Sequence, residues 1–251
     1  RDRFWKVCSW GSSFSGHVVA YGTHPEQPSA IFTAGGAKKT LAMVHKGGGF
    51  EATLLAGLRH LVDDLLGRDW PREDGTAQRI GAVVIDANWG RSTATVREFA
   101  RRHPLAAMIH PAHGRGIGAA SRPLLDGKRK QGERIGPGWR LGTVSGQRGL
   151  LFDANHWKTF LAGWLQTAPG DPGSITLHRG RHDILLDHVT AEQPIAVTAR
   201  GQTVDEWKLL SGRENHLLDC LVMNAVAANV SGIEATGATT EKRLRKKVAV
   251  P

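Results

Sequence analysis

Two acidic residues stand in apolar surroundings, where side chains of this type could perform chemistry. Asp219 interrupts the apolar run L-L-D-C-L-V, and Asp86 ends the run I-G-A-V-V-I-D. A carboxylate in such surroundings costs several kcal/mol of stability unless a cation or a metal ion compensates its charge. Both residues are therefore candidates for structural ion pairs or for binding a positively charged ligand.

Carboxylates that converge from two segments favour divalent-metal chemistry. An acid at the C-terminal end of an internal strand lies at the crevice where open α/β sheets bind ligands. Hard oxygen ligands without cysteine suit Mg²⁺ or Mn²⁺, and two such ions about 4 Å apart can cleave a phosphodiester in line. We therefore expect Asp86 and Asp219 to be catalytic and to hold two divalent cations, Mg²⁺ or Mn²⁺.

Each acid also has a structural interpretation that the sequence leaves open. Asp219 could pair with an arginine such as Arg213, or face solvent. Asp86 could be an Asx-turn residue that caps the following loop. Asn215 and His216 precede Asp219 at helical i−4 and i−3 spacing, which places the three polar side chains on one helix face. We expect these two neighbours to support the Asp219 carboxylate.

A helix must carry Asp219, and a strand must carry Asp86. Ser211 and Glu214 have the S-x-x-E spacing of a capping box. Apolar residues then recur at helical spacing, so the pattern predicts a largely buried helix over residues 211–228. The continuous apolar run 80–85 is typical of a strand buried on both faces.

The remaining elements indicate a mixed α/β sheet covered by helices. Strands are predicted from alternation and β-rich runs, and helices from amphipathic periodicity and capping residues. These elements are, in chain order, a hairpin of strands 3–10 and 17–21, helix 51–66, helix 92–103, strand 106–110, strand 139–144, helix 153–166 with Asp153 as its N-cap, strand 175–177 and strand 195–198.

The overall composition points to a polyanionic partner. The chain has 251 residues and a formal net charge of +10, which makes nucleic acid the first candidate. No apolar run approaches the roughly 18 residues of a membrane-spanning helix, so no membrane partner is expected. Two cysteines exclude a disulfide framework or a cysteine zinc site. No signal peptide is visible.

The basic residues concentrate in two segments. Residues 113–148 are rich in Gly, Arg and Lys, with Lys128, Arg129 and Lys130 at the centre. We expect a mobile loop or hairpin that contacts DNA phosphates, although a solvated charged loop without a partner would have the same composition. Residues 1–232 are expected to form one domain, followed by a basic, disordered tail over residues 233–251.

Three blocks of the sequence resemble the large terminase subunit of lambda-like tailed phages. They are R-D-R-F-W-K-V-C-S-W-G, V-V-I-D-A-N-W-G and E-W-K-L-L-S-G-R-E-N-H-L-L-D-C-L-V, and they stand in that family's order across its C-terminal nuclease half. The resemblance covers about residues 1–230. Its most specific part is the G-R-x-N-x-x-L-D-C signature in the last block.

The resemblance implies an RNase H-like fold, a mixed sheet flanked by helices. It also implies a metal-dependent endonuclease that cuts concatemeric double-stranded viral DNA during packaging. Asp86 matches the family's second acidic position and Asp219 its third. The implied partners are DNA, the terminase ATPase domain, the small terminase subunit and the portal, in the cytoplasm of the host cell.

One part of the family pattern lies outside this sequence. Relatives carry their first catalytic Asp in a G-x-D-x-Q-x-D-R pattern, and Asp2 and Arg3 match only its D-R pair. The first acid is therefore expected upstream of Arg1, as is the ATPase half. Two alternatives remain: another RNase H-like nuclease, such as a resolvase or transposase core, or a non-catalytic module that binds DNA or docks on the motor.

Overall fold

The computed structural model describes residues 3–28, 36–144 and 146–234. The strands are β1 (Arg3–Trp10), β2 (Gly16–His24), β3 (Trp70–Pro71), β4 (Ala77–Gln78), β5 (Val83–Asp86), β6 (Ile109–Arg115), β7 (Arg134–Gly136), β8 (Trp139–Val144), β9 (Gln147–Asp153), β10 (Ile175–Leu177), β11 (Glu192–Ala199) and β12 (Gln202–Leu209). The helices are α1 (Leu41–Val44), α2 (Phe50–Gly67), α3 (Gly90–Arg102), α4 (Ala154–Leu165), α5 (Asp183–Val189) and α6 (His216–Val230).

Two sheets form the centre of the fold. The five-stranded sheet has the order β5-β6-β9-β8-β7, in which β5, β6 and β9 run parallel, β8 is antiparallel to β9, and β7 is antiparallel to β8. The three-stranded sheet has the order β1-β2-β10, with β1 antiparallel and β10 parallel to β2. The predicted mixed α/β architecture is confirmed, but its strands are divided among these two sheets and two smaller two-stranded sheets, β3-β4 and β11-β12.

Two apolar cores cover the faces of β5. Val84 packs against a core that contains residues of α4 and α6, such as Leu161 and Leu221. Val83 and Ile85 pack against a second core, built largely from α2 and α3. Successive strand residues point to opposite faces, so both faces of β5 have apolar contacts, but the prediction of a strand over residues 80–85 buried on both faces is confirmed only in part, because the strand begins at Val83. Its side chains are only half-buried, because β5 is an edge strand.

The predicted start of the helix that carries Asp219 is wrong. Residues 210–213 form a turn, in which the Arg213 amide donates to the Leu210 carbonyl at 3.2 Å, and α6 begins at His216 with Asn215 as its N-cap. Ser211 and Glu214 therefore do not form a capping box at this helix. The predicted apolar face is confirmed: the buried residues of α6 include Leu217, Leu218, Leu221, Val222, Ala225 and Val226.

The basic segment 113–148 is more structured than its composition predicts. Trp139 and Leu141 are buried in the first core, so this part of the segment belongs to the packed sheet rather than to a mobile loop. Glu133 accepts two hydrogen bonds within the loop. Its main-chain carbonyl accepts one from Arg129 Nε at 2.9 Å, and its carboxylate accepts one from the Lys130 amide at 3.0 Å. The side chains of Lys128, Arg129 and Lys130 nevertheless stand at exposed positions.

Other expectations are confirmed in part. The predicted strand at 106–110 instead begins at Ile109 and continues to Arg115, after a short 3-10 turn. Helix α5 and the hairpin of β11 and β12 were not predicted in full. Among the described residues, no helix is both long and apolar enough to cross a membrane. Most of the basic tail, residues 235–251, lies outside the described residues.

The N-cap of α4 provides a test of the local fold. The Asp153 side chain accepts from the amides of Asn155 at 3.0 Å and His156 at 3.3 Å, as the sequence predicted. Asp153→Ala should lower the unfolding free energy by about 1 kcal/mol, whereas Asp153→Asn should retain most of it, since asparagine caps about as well as aspartate. Urea unfolding measures both variants, and equal losses would contradict the capping role.

Candidate active site

A cleft of about 1700 Å³ separates the two sheets. Strand β1 lines one side, residues 80–86 line another, and α6 contributes Asp219 and Cys220. Among the described strands, β1 pairs only with β2 and β5 only with β6, so each has one unpaired edge. Helix α6 packs against both β1 and β5. It thereby spans the gap between the sheets and carries Asp219 to the cleft that Asp86 also lines.

Asp86 is fixed by the loop that follows β5. Its Oδ1 accepts a hydrogen bond from the main-chain amide of Asn88 at 2.9 Å. The side-chain amide of Asn88 donates to the carbonyl of Gly114 at 2.8 Å, which ties the loop to β6. The Asx-turn interpretation of Asp86 is therefore confirmed. Asp86 is also exposed and lines the cleft, so the turn orients the carboxylate without burying it.

The cation beside Asp219 is a lysine from another helix. Lys158 Nζ lies 3.2 Å from Asp219 Oδ1 and 2.5 Å from Glu192 Oε1. The expected alternative partner, Arg213, instead pairs with Asp187 at 2.9 Å. Pairing of Asp219 with Arg213 is therefore wrong. Lys158 and Glu192 are both buried.

Burial is the main influence on the ionisation of Asp219. The side chain is 45% exposed because the cleft reaches it, yet protein atoms surround the carboxyl closely. This burial raises the pKa of Asp219, Lys158 opposes the rise, and the carboxylates of Glu192 and Asp86 add to it. The influence of Asp86 is the usual effect of a nearby like charge on the pKa of a carboxyl.

Asn215 and His216, the two residues predicted to support the Asp219 carboxylate, differ in their contacts. The carbonyl of Asn215 accepts from the amide of Asp219 at 3.0 Å, and its side chain donates to Glu192 rather than to Asp219. The ring of His216 stacks on Phe4 with centroids 4.6 Å apart. His216 lines the cleft, and its Nε2 lies 3.8 Å from a Glu214 carboxylate oxygen.

A second buried lysine, Lys6, contacts α6 from β1 and lines the same cleft. Lys6 on β1 donates from Nζ to the carbonyl of Leu217 at 2.9 Å. Burial lowers the pKa of Lys6 to about 8.

The thiols of Cys8 and Cys220 are both free, and burial raises the pKa of each to about 12. These thiols therefore stay protonated and are poor nucleophiles near neutral pH.

The donor set of the cleft fits a hard divalent cation. Asp86 and Asp219 provide carboxylate oxygens, and neither thiol is ionised to compete for a softer metal. Within the described ranges, no group of three or more histidine, cysteine or acidic side chains is placed to hold a metal ion. A cation in this cleft would therefore be held by one or two carboxylates together with water or phosphate oxygens, which is usual for Mg²⁺.

A comparison with models of protein families identifies the family of this chain. The model of the terminase large subunit gpA endonuclease domain matches residues 5–242. The chain belongs to this terminase endonuclease family. The comparisons with curated proteins and with solved structures each gave no significant match. The sequence-based resemblance is therefore confirmed, and the mixed sheets with flanking helices agree with the RNase H-like fold that it implied.

Sequence reasoning missed the buried cations of this terminase endonuclease domain. Lys158 lies on the face of α4 that also buries Trp157 and Leu161. A lone charged residue within an apolar helical face indicates a buried partner, so periodicity could have identified Lys158. The partner acid, Glu192, lies in a stretch of sequence with no readable pattern.

Lys6 makes the stability of the endonuclease domain depend on pH. Its pKa is lowered from 10.5 to about 8 in the folded chain, so between these values the unfolded chain binds more protons. The contribution of Lys6 to the unfolding free energy should therefore rise with pH across this window by up to about 3 kcal/mol, whereas the raised pKa values of Cys8 and Cys220 lower the unfolding free energy above about pH 9. Lys6→Met should remove this rise, whereas Lys46→Met, at an exposed position, should retain it. Urea unfolding from pH 7 to about pH 10.5 tests this, and identical pH profiles for parent and Lys6→Met would refute it.

Proposed function

We propose that this domain is a divalent-cation-dependent endodeoxyribonuclease that cuts concatemeric double-stranded DNA during viral packaging. The observation that carries the proposal is that Asp86 and Asp219, from segments far apart in sequence, line one cleft. Membership of the terminase endonuclease family supports it. By the same resemblance, the partners are the terminase ATPase domain, the small subunit and the portal.

Each acid would hold a divalent cation through an oxygen that internal contacts leave available. Asp86 uses Oδ1 for the Asx turn, and Asp219 uses Oδ1 for Lys158. When bound, two Mg²⁺ or Mn²⁺ ions supply Lewis-acid stabilisation of the phosphodiester and a more acidic water. The role of the protein is to fix both carboxylates before substrate arrives, because preorganised charge costs no reorganisation during reaction.

Two rival functions make different predictions. Another RNase H-like nuclease, such as a resolvase or transposase core, would use the same acids, but the family match disfavours it. A non-catalytic DNA-binding or motor-docking module would use Asp219 only as an ion-pair partner of Lys158. Metal binding separates the last possibility from the proposed nuclease, because a purely structural pair does not bind Mn²⁺ at millimolar concentration.

Neutralising either acid should remove metal binding while the fold survives. Asp86→Asn and Asp219→Asn keep the side-chain shape but remove the charge that attracts a divalent cation, so Mn²⁺ affinity should fall by at least about tenfold. Electron paramagnetic resonance of free Mn²⁺ measures this fall in the chain itself. Asp187→Asn, which removes an acid that pairs with Arg213, is the control and should bind Mn²⁺ like the parent.

DNA cleavage should depend on the same acid as metal binding. By the same resemblance we expect the site to include a further acid, so nicking of plasmid DNA is measured on a form of the domain that supplies this acid. Asp219→Asn should abolish nicking with either Mg²⁺ or Mn²⁺. If Asp219→Asn nicks at the parent rate and binds Mn²⁺ normally, Asp219 is structural and the proposed mechanism fails.

The exposed basic loop should contribute salt-dependent, sequence-independent DNA affinity. Replacing Lys128, Arg129 and Lys130 together by Ala should reduce the slope of log K against log salt by about 2 to 3, because each lost phosphate contact changes the slope by roughly 0.9. Binding to unrelated duplexes should weaken similarly. A control variant lacking Arg101 and Arg102, which pair with Glu98 on α3, should change the slope less. An unchanged slope in the triple variant would show that this loop does not contact DNA.

A further inference from the structure

A buried ion pair holds Asp219 from outside the cleft. Lys158 and Glu192 are in contact at 2.5 Å, and neither residue is among those that line the cleft. Asp219 does line it, and its Oδ1 lies 3.2 Å from Lys158 Nζ. Among the described residues, Oδ2 of Asp219 makes no hydrogen bond or ion pair. One oxygen of this carboxylate is therefore fixed by the protein, while the other stays available.

Glu192 is organised to hold the lysine. Its side chain is only 3% exposed, so its charge requires compensation within the protein. Lys158 and the side-chain amide of Asn215 both donate to Glu192 Oε1. Asn215 is also the N-cap of α6. The same acid thus connects α4, through Lys158, with the first turn of the helix that carries Asp219.

The charges of this group have a consequence for any cation near Asp219. A lysine in contact with a metal ligand would by itself repel a divalent ion. The carboxylate of Glu192 balances the positive charge of Lys158, so the group as a whole keeps the single negative charge of Asp219. An apolar side chain in place of Lys158 would avoid the repulsion but could not hold Oδ1.

We propose that Lys158 and Glu192 are a positioning pair, in which Lys158 orients Asp219 for a divalent cation and Glu192 cancels the lysine charge. This inference rests on the proposed metal-dependent nuclease function. It assigns to Asn215 the role of supporting Glu192, rather than of contacting Asp219 directly. The pair acts through Asp219 and touches neither metal nor DNA.

The decisive variant removes the pair without changing the net charge. Lys158→Met with Glu192→Gln replaces a cation and an anion by neutral side chains of similar size, a change that buried ion pairs often tolerate. Loss of an orienting partner should weaken Mn²⁺ binding by about 10- to 100-fold. Paramagnetic resonance gives the affinity, and circular dichroism with thermal unfolding checks the fold.

A matched control uses the same substitutions at another lysine–glutamate pair. Lys208 and Glu206 lie 3.0 Å apart on β12, and Lys208 is exposed. Lys208→Met with Glu206→Gln should leave Mn²⁺ affinity unchanged. A folded Lys158→Met, Glu192→Gln variant that binds Mn²⁺ within about twofold of the parent would overturn the proposal.

The single variant Glu192→Gln tests the charge balance separately. Glutamine can still accept from Lys158 and Asn215, but the lysine charge is no longer cancelled, so Mn²⁺ affinity should fall on the order of tenfold. If the double variant unfolds, parent-like affinity in Glu192→Gln overturns the proposal instead. A parent protein that binds no Mn²⁺ would refute the proposed function itself, whereas normal binding in the parent with unaffected pair variants would refute only this inference.

Discussion

The placement of a carboxylate on a helix that packs into the apolar core is the constraint on which the rest of this structure depends. Helix α6 packs through its leucines and valines against both sheets, so Asp219 cannot leave the protein without unpacking the core. A charge held there requires a cation, and Lys158 supplies it from α4. The charge of Lys158 in turn requires the carboxylate of Glu192. Because Glu192 lies on β11, the hairpin of β11 and β12 also supports Asp219.

The same helix explains how two separate sheets serve one site. Strands β1 and β5 do not pair with each other, and α6 spans the gap between them. Asp86 reaches the gap from the end of β5, where the Asx turn and the link from Asn88 to Gly114 fix the loop. Asp86 is therefore held by a turn and Asp219 by an ion pair. The two sets of contacts share no residue, and the carboxylates they hold line the same cleft.

Sequence patterns correctly predicted structural features that depend on residues close together in the chain. The apolar run before Asp86, the N-cap at Asp153 and the apolar face of α6 follow from local spacing, and all are present. The start of α6 was predicted wrongly because the S-x-x-E spacing at Ser211 also fits a turn. The pair formed by Lys158 and Glu192 joins residues 34 positions apart, and no local pattern specifies such a partner. The basic segment was misread because Glu133 gives its arginines internal acceptors.

The unpaired edges of β1 and β5 also bear on how the molecule avoids self-association. An exposed strand edge offers a row of free amides and carbonyls to any extended chain, and it is a common starting point for aggregation. Here both strands line the cleft, so their edges are recessed between the two sheets and spanned by a helix. The opening that would give a substrate access to the acids is thus also a recess that shields the sheet edges from intermolecular pairing.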